Sequence, residues 1–269
     1  MNANIDFDCT MCGKCCHDLR LPLTVTEALG WLARGGDVQL LCEAVPWLEE
    51  PAADNLQAAH KRRRSFAAVS GSLSARVVVI LTGAFAGPCP NLQADMRCGI
   101  YDERPLVCRI YPAEINPFVE LTPANKACPQ EAWTPGLPSL MRAGKLVDAS
   151  MVRLIEQSRA ADARDLLIKQ RLCALLGVDA AALSNEGFVV YSPGGADLAE
   201  AIQEACRQQD SQNEAAGVEE GSEPMPEWRF VSNRQATVDT LVSVGALGAC
   251  VNVDGATPFE YLGFFPATA

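Results

Sequence analysis

Cysteine placement constrains this chain more than any other feature. Twelve cysteines occur in 269 residues, and nine of them lie within the first 128. Eight form two groups. The first is Cys9-x2-Cys12-x2-Cys15-Cys16; the second is Cys89, Cys98, Cys108 and Cys128, at gaps of eight, nine and nineteen intervening residues. The content is below the roughly 8–10% of small secreted disulfide scaffolds, and a chain this long buries a core without staples. Residues Met1 to Asp8 hold no basic stretch followed by an apolar one, so no secretory signal is expected. The longest apolar run, Val77 to Gly87 with Thr82 inside it, is shorter than the ~20 residues of a membrane-spanning helix. A cytoplasmic location is therefore expected. In that reducing compartment, crowded thiols read as metal ligands or catalytic groups before they read as disulfides.

Two-residue gaps let a tight loop wrap its sulfurs around one centre, in zinc knuckles and iron–sulfur proteins alike. Cys9, Cys12 and Cys15 reproduce the first three positions of the bacterial ferredoxin run, whose remaining ligand is a cysteine followed by proline. Cys16 follows at once instead of after three residues. A remote Cys-Pro would then be the fourth ligand, and the chain offers Cys89-Pro90 and Cys128-Pro129. This favours an iron–sulfur cluster, of the 4Fe-4S kind, over zinc. Side chains of neighbouring residues in an extended segment point to opposite sides, so Cys15 and Cys16 are expected to face different centres. The metal ligands expected are Cys9, Cys12, Cys15, Cys16, Cys89, Cys98, Cys108 and Cys128, in one site or two. Cys42, Cys173, Cys206 and Cys250 stand alone and read as small buried hydrophobes.

The strongest local signature runs from Arg97 to Pro112, RCGIYDERPLVCRIYP. Together with the leading CxxCxxCC it resembles the YkgJ-type cysteine-cluster family of zinc- or iron-chelating domains. The resemblance covers residues 9 to about 128, through all eight cysteines and Tyr101, Arg104, Pro105, Arg109 and Pro112. It implies metal chelation. A similar CxxCxxCC domain occurs in flagellin lysine methylases, where it looks like an iron–sulfur module, but residues beyond about 140 carry no pattern of those enzymes. Arg104 and Arg109 either offset thiolate charge or pair with Asp102 or Glu103. Tyr101 and Tyr111 read as packing groups with a water-facing hydroxyl, and His17 as a neighbour of the metal rather than a ligand.

Net charge is −11 with a pI near 4.7, divided as −3 over residues 1–140 and −8 over 141–269. Such a chain opposes nonspecific binding to nucleic acid or anionic membrane. The run His60-Lys61-Arg62-Arg63-Arg64 is the exception, and reads as a solvated element end. No P-loop or serine-nucleophile motif of the Gly-x-Ser-x-Gly type occurs, and His17 and His60 are the only histidines. The expected partner is a metal ion or cluster. The function expected is metal binding, with an iron–sulfur enzyme transferring electrons or methyl groups to a protein, or metal storage and delivery, as alternatives.

An α+β fold is expected, with short helices around a small antiparallel sheet and a loop-rich, metal-organised cysteine region. The organisation expected is a cysteine-cluster domain over 1–138, a helical region over 139–207, an acidic flexible linker over 208–226 and a small α/β segment over 227–269. Residues 1–20 read as loop. Thr24-Val25-Thr26-Glu27 has capping-box spacing and opens a helix ended by Gly35-Gly36. Val38 to Ala44 reads as a second helix, and residues 65–81 as a hairpin leading to Cys89. Prolines at 112, 117, 123, 129, 135 and 138 keep the following stretch irregular. Helices are expected from Met151 to a cap at Gly177, over 197–207 and over 236–247. Strands at 228–231 and 249–253 are expected to form a small appendage or to extend an existing sheet.

Overall fold

The computed structural model describes residues 4–214, 225–251 and 257–267. Its central element is a long β-hairpin. Strand β4 (Phe66–Ser70) turns at Gly71 into β5 (Leu73–Pro88). The valine-rich sequence from Arg76 to Leu81 suits a pleated, half-buried surface. One edge of β5 pairs with β3 (Asp37–Pro46), antiparallel, from Asp37↔Ala84 to Pro46↔Ala75. Its other edge is shared by β4 and by β2 (His17–Leu23).

Two segments differ from the sequence reading. Residues 38–44 are strand, not helix: Val38, Leu40, Cys42 and Ala44 are buried on one face in period two, and pairing to β5 overrides the helical reading of the apolar run. The end of the expected first loop, from His17 onward, is also strand, because β5 offers it an open edge. The helix α1 (Val25–Ala33) forms as expected, with a complete capping box between Thr24 and Glu27. Gly35, at φ 79°, lets the chain reverse into β3.

Beyond β3 the sheet continues with β8 (Ala180–Leu183) and β9 (Gly187–Tyr191), which share its second edge, parallel and antiparallel respectively. β10 (Arg229–Ser232) joins β8, and β11 (Gly248–Cys250) joins β10, both parallel; β12 (Glu260–Gly263) joins β9 antiparallel. Among the described residues the result is a nine-stranded mixed sheet. One sheet thus takes strands from both sides of the boundaries expected at 138/139 and 226/227. The last segment extends the existing sheet. The strand expected over 249–253 is β11, which ends at Cys250, and Asn252 and Val253 lie outside the described residues. The hairpin also meets this end of the sheet: Val69 exchanges backbone hydrogen bonds with Pro226 (3.0 Å) and Trp228 (2.8 Å).

Helices α1, α5 (Leu166–Leu176), α6 (Gly195–Glu214) and α7 (Gln235–Ser243) cover one face of the sheet, where Trp31, Leu172, Leu198, Ile202 and Leu241 meet Leu40, Val79, Leu81 and Phe230. The helical stretch before Gly177 is two pieces, α4 (Ala149–Arg164) and α5, and Gly177 closes the second in the left-handed conformation. α6 runs on through Gln208 to Glu214, inside the span expected as linker, and residues 215–224 lie outside the described ones. A second, smaller core joins Ile5, Ile110, Leu121, Leu140, Met151 and Ile155. Ile5 and Leu140 of that core belong to a sheet that, among the described residues, has three strands, β1 (Ile5–Asp6), β6 (Ser139–Arg142) and β7 (Lys145–Leu146). Among the described residues, no helix is long and apolar enough to cross a membrane. The fold is α+β, and its cysteine region is loop-rich.

Candidate metal centre

The sheet itself delivers two thiols to one place. β2 begins and β5 ends at the register His17↔Pro88, so the residues just outside it, Cys16 and Cys89, become neighbours. The Cys89 N–H donates to the Cys16 carbonyl at 2.8 Å. Cys98 returns to this loop through an isolated bridge to Leu92, whose N–H is held by the Cys89 carbonyl at 2.9 Å. Cys108 arrives on a one-turn helix, α3 (Leu106–Ile110), packed by Ile110 into the small core. Glu27 fixes that helix to α1: one carboxylate oxygen accepts the Thr24 N–H of the capping box, the other the Leu106 N–H at 2.7 Å.

Cys15 and Cys16 do not face apart. Their sulfurs are 3.9 Å from each other. Residues 14–16 form a turn closed by Cys16 N–H to the Gly13 carbonyl at 3.0 Å, so the alternation of an extended strand does not apply there. Hydrogen bonding between the pair lowers the Cys15 thiol and raises that of Cys16, so the two share a proton as a unit.

Electrostatics show how far the thiols converge. Cys89 and Cys108 lie near enough to Cys16 to raise its thiol by repulsion. Burial first, then Cys89, Cys15 and Cys98, push Cys108 up to about 12. Burial also raises Cys128, with Cys15, Cys9 and Cys12 adding to it. Cys15 of the first group thus acts on Cys108 and Cys128 of the second. None of the eight thiols is in a disulfide. Among the described residues no three His, Cys, Asp or Glu side chains are closed into a group that would hold an ion. The loops bring the sulfurs together but do not by themselves draw them into coordination.

Arg104 answers the question of its role: its charge lowers Cys15 and opposes the rise of Cys108. Its guanidinium lies 3.6 Å from the centre of the Tyr101 ring, and its Nε donates to the Tyr101 carbonyl at 2.8 Å. Neither Arg104 nor Arg109 pairs with Asp102 or Glu103 among the described residues, and Glu103 instead meets Arg34 at 3.7 Å. The Tyr111 hydroxyl does not simply face water. It accepts the Ala127 N–H at 2.8 Å and bonds the Cys128 thiol. His17 is half-buried at the head of β2, close enough to Cys15 to favour its thiolate. The isolated cysteines Cys42 and Cys173 are buried in the main core, and burial raises both thiols. The basic run ends α2 (Leu56–Arg63); Lys61 meets Glu43 at 2.8 Å and Arg64 meets Asp162 at 2.8 Å.

The roles of Glu27 and Tyr111 were missed by sequence reasoning. For Glu27 the capping box gave a signal, but it accounts for one carboxylate oxygen and gives no hint of where the other goes.

The fold and site thus define a class: an α+β chain whose loops gather a set of free thiols beside a mixed sheet. Residues 8–129, a little under half of the chain, match the CxxCxxCC family, described as "Putative zinc- or iron-chelating domain". The resemblance read from the motifs holds for that segment. Neither the comparison with curated proteins nor that with solved structures gave a match.

Proposed function

We propose that this protein binds metal through Cys9, Cys12, Cys15, Cys16, Cys89, Cys98, Cys108 and Cys128, with a 4Fe-4S cluster favoured over zinc, and that it works in the cytoplasm. The observation that carries the reading is that the two groups of free thiols meet: the Cys89 N–H bonds the Cys16 carbonyl, and Cys15 acts on Cys108 and Cys128. An all-sulfur donor set fits zinc and iron–sulfur centres and fits hard cations poorly. Residues 9–16 and 89–128 hold little regular structure, so metal binding would lend part of its free energy to folding. In that state Arg104 offsets thiolate charge, and Tyr111 holds Cys128 by a hydrogen bond to its sulfur. The bound group would supply Lewis acidity if zinc, or one-electron redox capacity if iron–sulfur.

Anaerobic purification with analysis of iron, zinc and acid-labile sulfide tests the reading. Brown protein with matching iron and sulfide is expected. Colourless protein with stoichiometric zinc would replace the cluster and keep the ligand set. In the variants Cys12→Ser and Cys108→Ser, metal content and thermal stability should both fall; unchanged stoichiometry in both would remove these thiols from the site.

A further inference from the structure

Eight thiols exceed what one centre takes, because a structural zinc ion or a 4Fe-4S cluster is held by four. The CxxCxxCC motif is tethered at its two ends to different parts of the chain. At the front, the residues before Cys9 clamp onto the stretch that carries Cys128. The Phe7 N–H donates to the Pro138 carbonyl at 2.9 Å, and the Asp8 N–H to the Ala132 carbonyl at 3.1 Å. The Phe7 ring lies 4.8 Å from that of Trp133, whose Nε1 donates to the Cys128 carbonyl at 3.4 Å.

At the back, the motif is seated on the loop of residues 89–98. Gly13, at φ 68°, packs so closely there that an added Cβ would stand 2.9 Å from the Met96 carbonyl oxygen and 3.2 Å from the Leu92 side chain. Cys16 accepts the Cys89 N–H, and the bridge between Leu92 and Cys98 closes the same loop. Cys108 joins Cys89 against the main core. The charges agree with these tethers. Burial raises Cys89 and Cys98 adds to it, while burial raises Cys108 and Cys89, Cys15 and Cys98 add to it. Cys128, raised by burial, is raised further by Cys15, Cys9 and Cys12. Cys15 thus stands at the seam, 3.9 Å from Cys16. Counting assigns it: without Cys15 the front set has three thiols, and with it both sets have four.

We infer that the eight thiols form two four-thiolate metal centres side by side, Cys9, Cys12, Cys15 and Cys128 in one and Cys16, Cys89, Cys98 and Cys108 in the other. This division rests on the metal binding proposed above and adds which thiols act together. The front set also has the ferredoxin order, three closely spaced thiols and a distant cysteine followed by proline.

Native mass spectrometry of the anaerobically purified chain counts the bound groups, and the added mass tells zinc from a cluster. The parent should hold two. Cys98→Ser and Cys128→Ser should each lose one. Cys9→Ser/Cys128→Ser, with both changes in one set, should still hold one, whereas Cys98→Ser/Cys128→Ser, with a change in each, should hold none. Cys206→Ser, at a lone cysteine of α6, should hold two. Circular dichroism of the variants confirms that they are folded, and the count on the parent needs no variant. A parent with a single group, or loss of every group in a folded single variant, overturns the division and keeps the metal-binding reading. A parent with no metal fails that reading and the division with it.

Discussion

Lys169 shows what a buried charge requires of its neighbours. It is 4% exposed on α5, and its ammonium meets Asp162 at 2.6 Å while Arg64, just past the end of α2, meets the same carboxylate at 2.8 Å. Burial pushes the Asp162 carboxyl up, but Lys169 and Arg64 more than offset it and hold it below its ordinary value. A carboxyl lowered in the folded state stabilises above its unfolded value of ~3.9, and that contribution is lost as pH falls through the folded value. Asp162→Asn should therefore destabilise the protein at neutral pH by roughly 3 kcal/mol, because Lys169 stays buried without its counter-charge. Urea denaturation at pH 7 and at pH 3 checks this, with the difference between variant and parent shrinking at the lower pH. Lys169 meets Asp162 across the break between α4 and α5, and Glu27 and Tyr111 bond backbone atoms of distant residues, so residue types alone do not reveal these partners. The eight thiols are different. Their spacing is itself the signal, since a short gap between soft ligands has few other uses.

At the level of elements, local chemistry was readable where it closes on itself. The Thr24 capping box, the Gly177 cap and the β4–β5 hairpin need only a few adjacent residues, and all three form. β3 could not be read in this way. Its apolar run satisfies both periods at short length, and only the partner strand β5 decides between them. The vicinal cysteines were misjudged for a related reason: the turn closed at Gly13 sets their directions, not the alternation of a strand. Gly71 gives a direct check on the hairpin. Its φ is 58°, and an added Cβ would run into the Gly245 carbonyl oxygen, which accepts the Ser72 N–H at 3.0 Å. Gly71→Val should cost about 2 kcal/mol or more, from backbone strain and that collision together. The midpoint of urea denaturation reads it, and a midpoint equal to that of the parent would show that the turn has room to adjust.

Across the whole molecule, stability is unevenly distributed. The main core ties the long strands β3 and β5 to four helices, whereas residues 89–138 contain α3, two short 3-10 turns at 123–125 and 130–133 and a single-turn one at 101–103. Removing metal with a chelator should therefore strip hydrogen-exchange protection from residues 9–16 and 89–138 and leave β3 and β5 protected. Uniform loss along the chain would mean that metal and sheet fold as one unit; no loss would mean that the loops hold themselves. The sequence by itself determined the donor chemistry, the irregular character of the proline-rich stretch and the helices with local caps, because each is set by residues within a turn or two of one another. Only the tertiary structure decided that β2 begins beside the end of β5, that Cys15 and Cys16 lie together, and that the last segments extend the same sheet. Those outcomes depend on strand register and on edges left open by other parts of the chain, and neither is a property of any local stretch of residues.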